Sequence, residues 1–250
     1  MNPRSFTVSG IVLRLADLGE SDRFVTLLTP DRGKITCVGK NLRTMKSRRN
    51  TQLELMNRIQ VKLWRSRNSH YLSECNLEER FGDLKQNLKS MASGTFIIEA
   101  TERLTAEEHL IPHLYDLLEQ TLSLMDFYPN KHELLREAYL IKLLNLIGTI
   151  ASFRTCSECH DSLPKQDAFL DENHSTIHCE ACAKKNRSHL RRIPLETLKL
   201  MHFLLSHPIP ATLKLRITRE HLNIIDEFGR TFLRHDLRYP LKSEAFLNTY

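Results

Sequence analysis

The stretch Arg58-Ile59-Gln60-Val61-Lys62-Leu63-Trp64 carries the plainest fold signal in the chain. Successive side chains of a β-strand point to opposite faces, so Ile59, Val61 and Leu63 should face a core. The intervening side chains, Trp64 among them, should then face solvent or a ligand. Trp64 is the only tryptophan of the chain. The alternative is that it packs beneath the helical domain or caps the barrel, since tryptophan is usually a core residue.

Four more runs rich in Ile, Val, Thr and Phe accompany this strand, at residues 6–15, 23–29, 34–39 and 70–77. Turn-forming residues separate them, as in Asp31-Arg32-Gly33. Five short strands within about 75 residues favour a small closed barrel. We therefore predict a barrel domain over residues 1–80.

Helical periodicity replaces the strand pattern after Gly82. Apolar residues recur at three- and four-residue steps, first at Leu84, Leu88, Met91 and Thr95, then at Leu110, Leu114, Leu117 and Leu118, and then at Leu134, Ala138 and Ile141. Gly148 is a plausible stop for the third helix, and helical spacing returns over residues 194–205 and 218–238. The chain of 250 residues thus reads as an α+β protein with a helical domain over residues 81–250.

Two CxxC pairs lie in a polar segment that interrupts the helical pattern at about residues 151–190. Cys156 and Cys159 form the first pair, and Cys179 and Cys182 form the second. Two such knuckles can supply the tetrahedral four-sulfur shell that Zn²⁺ prefers, so we predict a zinc-binding insertion. A closed shell has no open position for substrate, so the zinc should be structural. Redox cysteines and an iron–sulfur cluster are the alternatives, and His160 and His178 are expected to be solvated loop residues.

The positive charge of the chain is concentrated in its first third. Residues 1–70 hold 14 Lys and Arg and five Asp and Glu, although the whole chain carries only +6. No acidic residue occurs between Asp31 and Glu54. Five-stranded barrels with a basic surface commonly bind single-stranded nucleic acid, so we predict a nucleic-acid-binding face here. The alternative is that these charges lie on a solvated loop and bind nothing. The candidate binding residues are Arg14, Lys34, Lys40, Arg43, Lys46, Arg48, Arg49, Arg58, Lys62 and Trp64.

No motif of an enzyme stands out in the sequence. The chain has no P-loop, no GxGxxG after a strand, no HExxH and no acidic cluster spaced for Mg²⁺. His109 and His113 lack a glutamate between them and are expected to be ordinary surface or packing residues. No early stretch has the form of a signal peptide, and the longest apolar run is too short to span a bilayer. We therefore expect a cytoplasmic protein without membrane contact.

The order of these features, together with local sequence, resembles the RecO family of bacterial recombination mediator proteins. The N-terminal resemblance lies in residues 10–14, 19–29 and 33–35, and the central one in the helix of residues 136–148 that runs into the first CxxC. Leu241-Lys242-Ser243 resembles the closing motif of that family. One departure is visible, since family members often carry Gly-Ala-Arg where this chain has Asn41-Leu42-Arg43.

The resemblance implies an N-terminal OB-fold, a helical C-terminal domain, a four-cysteine zinc module and no enzymatic turnover. It also implies binding to single- and double-stranded DNA, annealing of complementary strands, and work with RecR and single-strand-binding protein to load RecA. The tail of single-strand-binding protein is an expected partner of the helical domain, and the location is expected to be the bacterial nucleoid. Two rivals remain open at this point. One is a protein of RNA or transcription machinery with an OB-fold and a zinc module, and the other is an enzyme, such as a nuclease, with an unseen site.

Overall fold

The computed structural model describes residues 5–42, 52–67, 69–150, 153–163, 166–185 and 190–247. The chain divides into two compact units. Met1–His132 and Leu241–Tyr250 form the first, and Glu133–Pro240 forms the second. The boundary near residue 80 that the sequence predicts stays a prediction. Among the described helices, none is long and apolar enough to cross a membrane.

The first unit opens with the predicted five-stranded barrel. Its strands are β1 (Ser5–Leu18), β2 (Asp22–Thr29), β3 (Gly33–Gly39), β4 (Arg58–Arg65) and β5 (His70–Glu79). The barrel closes in the order β1-β2-β3-β5-β4, and all neighbours are antiparallel except β3 and β5. A closed five-stranded barrel of this strand order is an OB-fold. The predicted fold class is confirmed.

Strand alternation fills the barrel as the sequence indicates. Ile59, Val61 and Leu63 are fully buried, whereas Trp64 points outward with 45% of its surface exposed. Trp64 therefore lies outside the barrel core. Cys37 and Cys75 also lie in the barrel core. Burial, followed by the nearby Cys75 and Glu107, raises the pKa of the Cys37 thiol to about 12, so this thiol stays protonated at neutral pH.

Strands β3 and β5 pair over only three residues, so half of β3 needs another cover. The segment around Glu107 and Glu108 provides this cover. The backbone N–H of Glu108 donates to the carbonyl of Lys34 over 2.7 Å. At Gly33 the chain has a φ of +68°, and a Cβ there would lie 2.1 Å from the carbonyl oxygen of His109. Only glycine accepts both the left-handed backbone and this close approach.

Four α-helices and one short 3₁₀ helix (Pro129–Lys131) complete the described part of the first unit. The α-helices are α1 (Gly82–Gln86), α2 (Leu88–Leu104), α3 (Leu114–Phe127) and α8 (Lys242–Leu247). The sequence pattern ran through Leu84 and Leu88 as one helix, but the structure has two. The side chain of Asn87 accepts the N–H groups of Lys89 and Ser90 and so begins a new helix. Leu110 was also predicted to be helical and instead lies before α3, with 47% of its surface exposed.

The second unit combines three helices of the predicted pattern with a small sheet. Its elements are α4 (His132–Leu146, whose first residue belongs to the first unit), β6 (Ala168–Asp171), β7 (Thr176–Cys179), α5 (Glu180–Lys185), β8 (Leu190–Ile193), α6 (Leu195–Ser206) and α7 (Arg219–Asp236). The sheet order is β7-β6-β8. Gly148 has a φ of +79° just after α4, which confirms it as the stop of that helix.

Helices α4 and α7 enclose a buried carboxyl group. Glu137 is 1% exposed and lies 2.7 Å from the Nε of Arg136, which also reaches Asp226 over 3.2 Å. Its second carboxyl oxygen is buried without a hydrogen-bond partner among the described residues. Burial raises the pKa of Glu137 to about 7, since the opposing attraction of Arg136 is partly cancelled by repulsion from Asp226.

This raised pKa predicts a pH dependence of stability. Between the ordinary glutamate pKa and about 7, the folded state holds a proton that the unfolded state has lost. The contribution of Glu137 is therefore fully present at low pH and is lost as the pH rises through 7. Relative to Glu137→Gln, the wild-type free energy of unfolding should fall by about 2 kcal/mol from pH 5 to pH 8. Denaturant unfolding at both pH values measures this difference.

Glu133→Gln is the matched control for this measurement. Glu133 lies in the first turn of the same helix and pairs with Arg219 at the surface. The free energy of unfolding of Glu133→Gln should change between pH 5 and pH 8 by the same amount as that of the wild type. If Glu137→Gln also ran parallel to the wild type, the buried carboxyl group would titrate normally and the interpretation would be wrong.

Candidate metal centre and nucleic-acid face

The four predicted cysteines converge at one point of the second unit. Cys156 and Cys159 lie on the loop before β6, Cys179 ends β7, and Cys182 lies one turn further along in α5. The antiparallel pairing of β6 with β7 and the turn into α5 bring the second knuckle to the first. All four sulfur atoms lie within 4.8 Å of one another. The cluster could hold a metal ion.

The spacing of the sulfur atoms fits a metal better than a disulfide. The Sγ atoms of Cys159 and Cys179 are 3.8 Å apart. Four thiolates at 2.3 Å from one ion in a tetrahedron lie about 3.8 Å from one another. A disulfide would need about 2.05 Å, so these two sulfur atoms are not bonded to each other. The observed donor set is thus a closed shell without an open ligand position.

Backbone groups prepare this cluster for negative charge. Burial alone would raise the pKa of the Cys156 thiol, but backbone N–H groups of the two knuckles lower it to about 6. Two of these donors belong to Cys179 and Glu158, at 3.4 and 3.5 Å from the sulfur. In contrast, burial and the neighbouring sulfur atoms raise the pKa of Cys182. The Cys156 thiolate therefore forms readily, whereas the Cys182 thiol holds its proton more tightly.

The two histidines beside the cysteines have different surroundings. His160 is exposed in the turn after the first knuckle, as predicted, and has a φ of +62°. His178 is only 8% exposed in β7, where its Nε2 lies 3.0 Å from the hydroxyl of Thr176. The expectation of a solvated loop residue is wrong for His178. Alternation does not account for this burial, because Ile177 and Cys179 on the opposite face of β7 are buried as well, so both faces of this strand are covered.

Removal of one ligand should remove the metal. We expect the purified protein to hold one metal ion per chain and Cys182→Ser to lose most of it. The melting temperature should fall as well, because metal binding in such modules is coupled to folding. Elemental analysis and thermal unfolding measure the two effects. Cys75→Ala is the control. Cys75 lies in the barrel core and is not one of the four clustered cysteines, so this variant should keep the full metal content. A metal-free wild type, or full metal content in Cys182→Ser, would contradict the assignment.

Acidic side chains neutralise much of the basic barrel wall. The guanidinium of Arg58 contacts three carboxylates, those of Glu78 at 3.4 Å, Glu79 at 3.3 Å and Glu119. On the same outer face of β4, the ammonium of Lys62 lies 3.0 Å from Glu74. Both residues were candidates for phosphate contact. Their charge is already balanced within the protein, which no local sequence pattern reveals.

Two further candidates also have partners inside the first unit. The ammonium of Lys34 donates to the carbonyl oxygens of Glu102 and Thr105, each over 2.6 Å. Arg14 is exposed but lies 3.5 Å from Glu102. The structure therefore places Lys34 in the contact between the barrel and the segment that covers β3.

The remaining described candidates, Lys40 and Trp64, lie near each other around a tyrosine. The rings of Trp64 and Tyr71 are 5.9 Å apart and tilted by 45°, and the ammonium of Lys40 lies 5.3 Å from the Tyr71 ring centre. Sequence reasoning missed Tyr71 as a site residue. It also left Arg65 and Arg67 out of the candidate set. Both are exposed, and within the described part of the chain neither guanidinium has a carboxylate partner.

Part of the predicted nucleic-acid interface falls in the stretch between Asp31 and Glu54 that has no acidic residue. Four of the candidate residues lie outside the described residues, namely Arg43, Lys46, Arg48 and Arg49. Asn41 adopts a φ of +56°, a conformation that asparagine tolerates better than most residues and that glycine would adopt freely. His109 and His113 are exposed and lie before α3, outside any helix, which confirms the expected surface position.

A closed five-stranded OB-fold, a largely helical second unit and a four-cysteine cluster define a class of protein that joins a barrel to a metal-binding helical part. Family comparison gives a specific assignment. The family model "Recombination protein O N terminal" matches residues 1–81, and "Recombination protein O C terminal" matches residues 85–245. The chain therefore belongs to the RecO family.

Curated relatives are similar over nearly the whole chain. A DNA repair protein RecO of Dehalococcoides mccartyi is 27% identical over 97% of this chain and 93% of its own length. The corresponding values for the RecO of Roseiflexus sp. are 28%, 99% and 87%, and for that of Bifidobacterium longum 26%, 92% and 94%. These three relatives bear the same name, DNA repair protein RecO.

Proposed function

We propose that this protein is a DNA repair and recombination mediator that binds single- and double-stranded DNA and anneals complementary strands. The observation that carries the proposal is the excess of positive charge in the first 70 residues, the part of this RecO-family chain that contains four of the five strands of the OB-fold barrel. Barrels of this kind commonly bind nucleic-acid strands. Family membership favours DNA repair over the rival role in RNA or transcription machinery.

Charge neutralisation explains how annealing could proceed without an energy source. Two complementary strands repel each other through their phosphates, and a basic surface that contacts both strands lowers this repulsion. Phosphate contacts carry no sequence information, so the protein should act on unrelated sequences alike. Base pairing itself then drives the reaction. The protein would turn over no substrate, in keeping with the absence of a recognised catalytic motif in the sequence.

We further propose that the metal is zinc and that its role is structural. Four cysteine ligands favour zinc over the harder divalent ions, which prefer oxygen. The closed shell leaves no place for a reacting molecule. When bound, zinc would fix the loop before β6 against the β7–α5 turn, and the cluster would keep that part of the second unit folded.

The partners follow from the likeness to RecO. We propose that the protein works with RecR, contacts the C-terminal tail of single-strand-binding protein, and thereby helps RecA to load on covered DNA. Such work would take place at the nucleoid in the bacterial cytoplasm. The leucine-rich helices of residues 81–250 suit protein partners better than DNA, since the chain beyond residue 70 has a slight excess of acidic residues.

Strand annealing in the absence of ATP and Mg²⁺ tests the proposed function. The full-length protein should speed the pairing of complementary DNA oligonucleotides of several unrelated sequences in the presence of EDTA, with its metal content verified afterwards. The variant with Arg43, Lys46, Arg48 and Arg49 changed to Ala should anneal more slowly and bind more weakly. Its affinity should also depend less on salt, since each lost phosphate contact removes a slope of about 0.7 on single strands.

Two results would contradict the proposal. Degradation of the strands would indicate a nuclease, and pairing confined to RNA oligonucleotides would indicate the rival role. An unchanged salt dependence in the fourfold variant would show that these four charges are merely solvated.

Trp64 should stack on bases of a bound single strand. Its indole is exposed on the outer face of β4 and can offer a flat surface to a base. Trp64→Ala should weaken single-strand binding about tenfold to a hundredfold, in line with 1–3 kcal/mol per stacked base. The melting temperature should change little, and single-stranded DNA should quench the native fluorescence. A large fall in melting temperature without loss of affinity would instead give Trp64 a packing role.

A further inference from the structure

Three aromatic side chains stand in one row across the outside of the barrel. The strand registers pair Phe24 with Val38, Val38 with Tyr71, and Tyr71 with Trp64. Cross-strand partners share a face of the sheet, so this row crosses β2, β3, β5 and β4. Phe24 is 38% exposed, although outward aromatic residues on a barrel usually find cover. Val38 lies between the rings and is nearly buried.

A cleft opens beside the Phe24 end of this row. It has a volume of about 420 Å³, within the range of small-ligand sites, and its walls include Phe24, Thr36 and Val38. Arg65, the last residue of β4, and Arg67, on the loop that follows it, form another side. Neither of these two guanidinium groups has a carboxylate partner among the described residues. Aromatic surface and unpaired positive charge thus meet in one place.

Two carboxylates border the same cleft. Glu107 accepts hydrogen bonds from the backbone N–H and the hydroxyl of Thr36, and Glu108 lies 3.7 Å from the Nε2 of His70. Their negative charge repels a phosphate that approaches from their side. A bound strand would therefore place its phosphates toward the β4–β5 loop and its bases toward the aromatic row.

We propose that Phe24, Tyr71 and Trp64 form a stacking track for about three successive bases of single-stranded DNA, an inference that rests on the proposed function. Arg65 and Arg67 hold the phosphates beside the track. Glu107 and Glu108 form an acidic border that orients the strand and keeps its affinity moderate. A duplex cannot use the track, because its bases are already stacked on one another. Phe24, Tyr71, the arginine pair and the acidic border are new assignments, and they extend the single-strand contact from β4 to β2.

Binding measurements on the full chain test the track. The probes are a fluorescein-labelled 20-nucleotide oligothymidylate and a labelled hairpin duplex. Phe24→Ala and Tyr71→Ala should each weaken oligothymidylate binding about tenfold and leave the hairpin affinity within a factor of two. The salt dependence should stay unchanged, because stacking releases no counterions. Phe127→Ala is the control, since Phe127 is 80% exposed at the end of α3 and outside the row.

Removal of a charge from the acidic border should strengthen DNA binding. A misfolded variant would not produce this result. Glu107→Gln keeps an oxygen that can accept the N–H of Thr36 and removes only the charge. Its affinity for oligothymidylate should rise about threefold at low ionic strength and return to that of the wild type at high salt. Asp83→Asn removes one charge from the exposed first turn of α1 and should have no effect.

The outcomes separate this proposal from the proposed function. If Phe24→Ala and Tyr71→Ala bind as the wild type does while the wild type still anneals DNA, the track is wrong and the proposed function stands. If the wild type neither binds nor anneals DNA, the proposed function fails. Tighter binding of oligouridylate than of oligothymidylate would make RNA the occupant and overturn the assignment. Equal losses on the hairpin, or weaker binding by Glu107→Gln, would overturn it as well.

Discussion

The barrel closes through a parallel seam of three residue pairs between β3 and β5, and much of the first unit depends on this short closure. The seam leaves the first half of β3 paired with β2 alone, and an open edge on the other side exposes unpaired N–H and C=O groups. The segment after α2 covers it, with hydrogen bonds through Glu107 and Glu108. The same cover brings two carboxylates to the outer face. The segment that covers the open edge of β3 therefore also determines the negative charge beside the cleft.

Net charge overstates how much of the barrel can attract phosphate. The first 70 residues carry an excess of nine positive charges, yet Arg58 and Lys62 lie within 3.5 Å of carboxylates. Charges paired in this way cancel at the distance of an approaching strand. Within the described part of the barrel, Arg65 at the end of β4 and Arg67 on the following loop keep guanidinium groups without a carboxylate partner, and the cleft that they line also contains Phe24. The proposed preference for single strands rests on this combination of unpaired positive charge and aromatic surface.

The parts that local patterns control could be predicted from the sequence. Alternation in Ile59, Val61 and Leu63 predicted the barrel core and an outward Trp64, and the CxxC spacing predicted the sulfur cluster. The parts that depend on distant residues could not. The partners of Arg58 lie up to 61 residues away, and the burial of His178 depends on how the small sheet packs. The break at Asn87 was readable in principle, since asparagine is a strong helix-capping residue.

Helix α8 gives the first unit a particular order of assembly. Glu99 in α2 accepts the backbone N–H groups of Lys242 and Ser243 over 2.9 and 2.8 Å, so the last helix of the chain packs on one of the first. The whole second unit, Glu133–Pro240, is synthesised between these two pieces. As the chain leaves the ribosome, the barrel and α2 must wait for more than a hundred residues before α8 arrives. During that interval the carboxylate of Glu99 lacks the two N–H groups that it accepts from α8 in the folded unit.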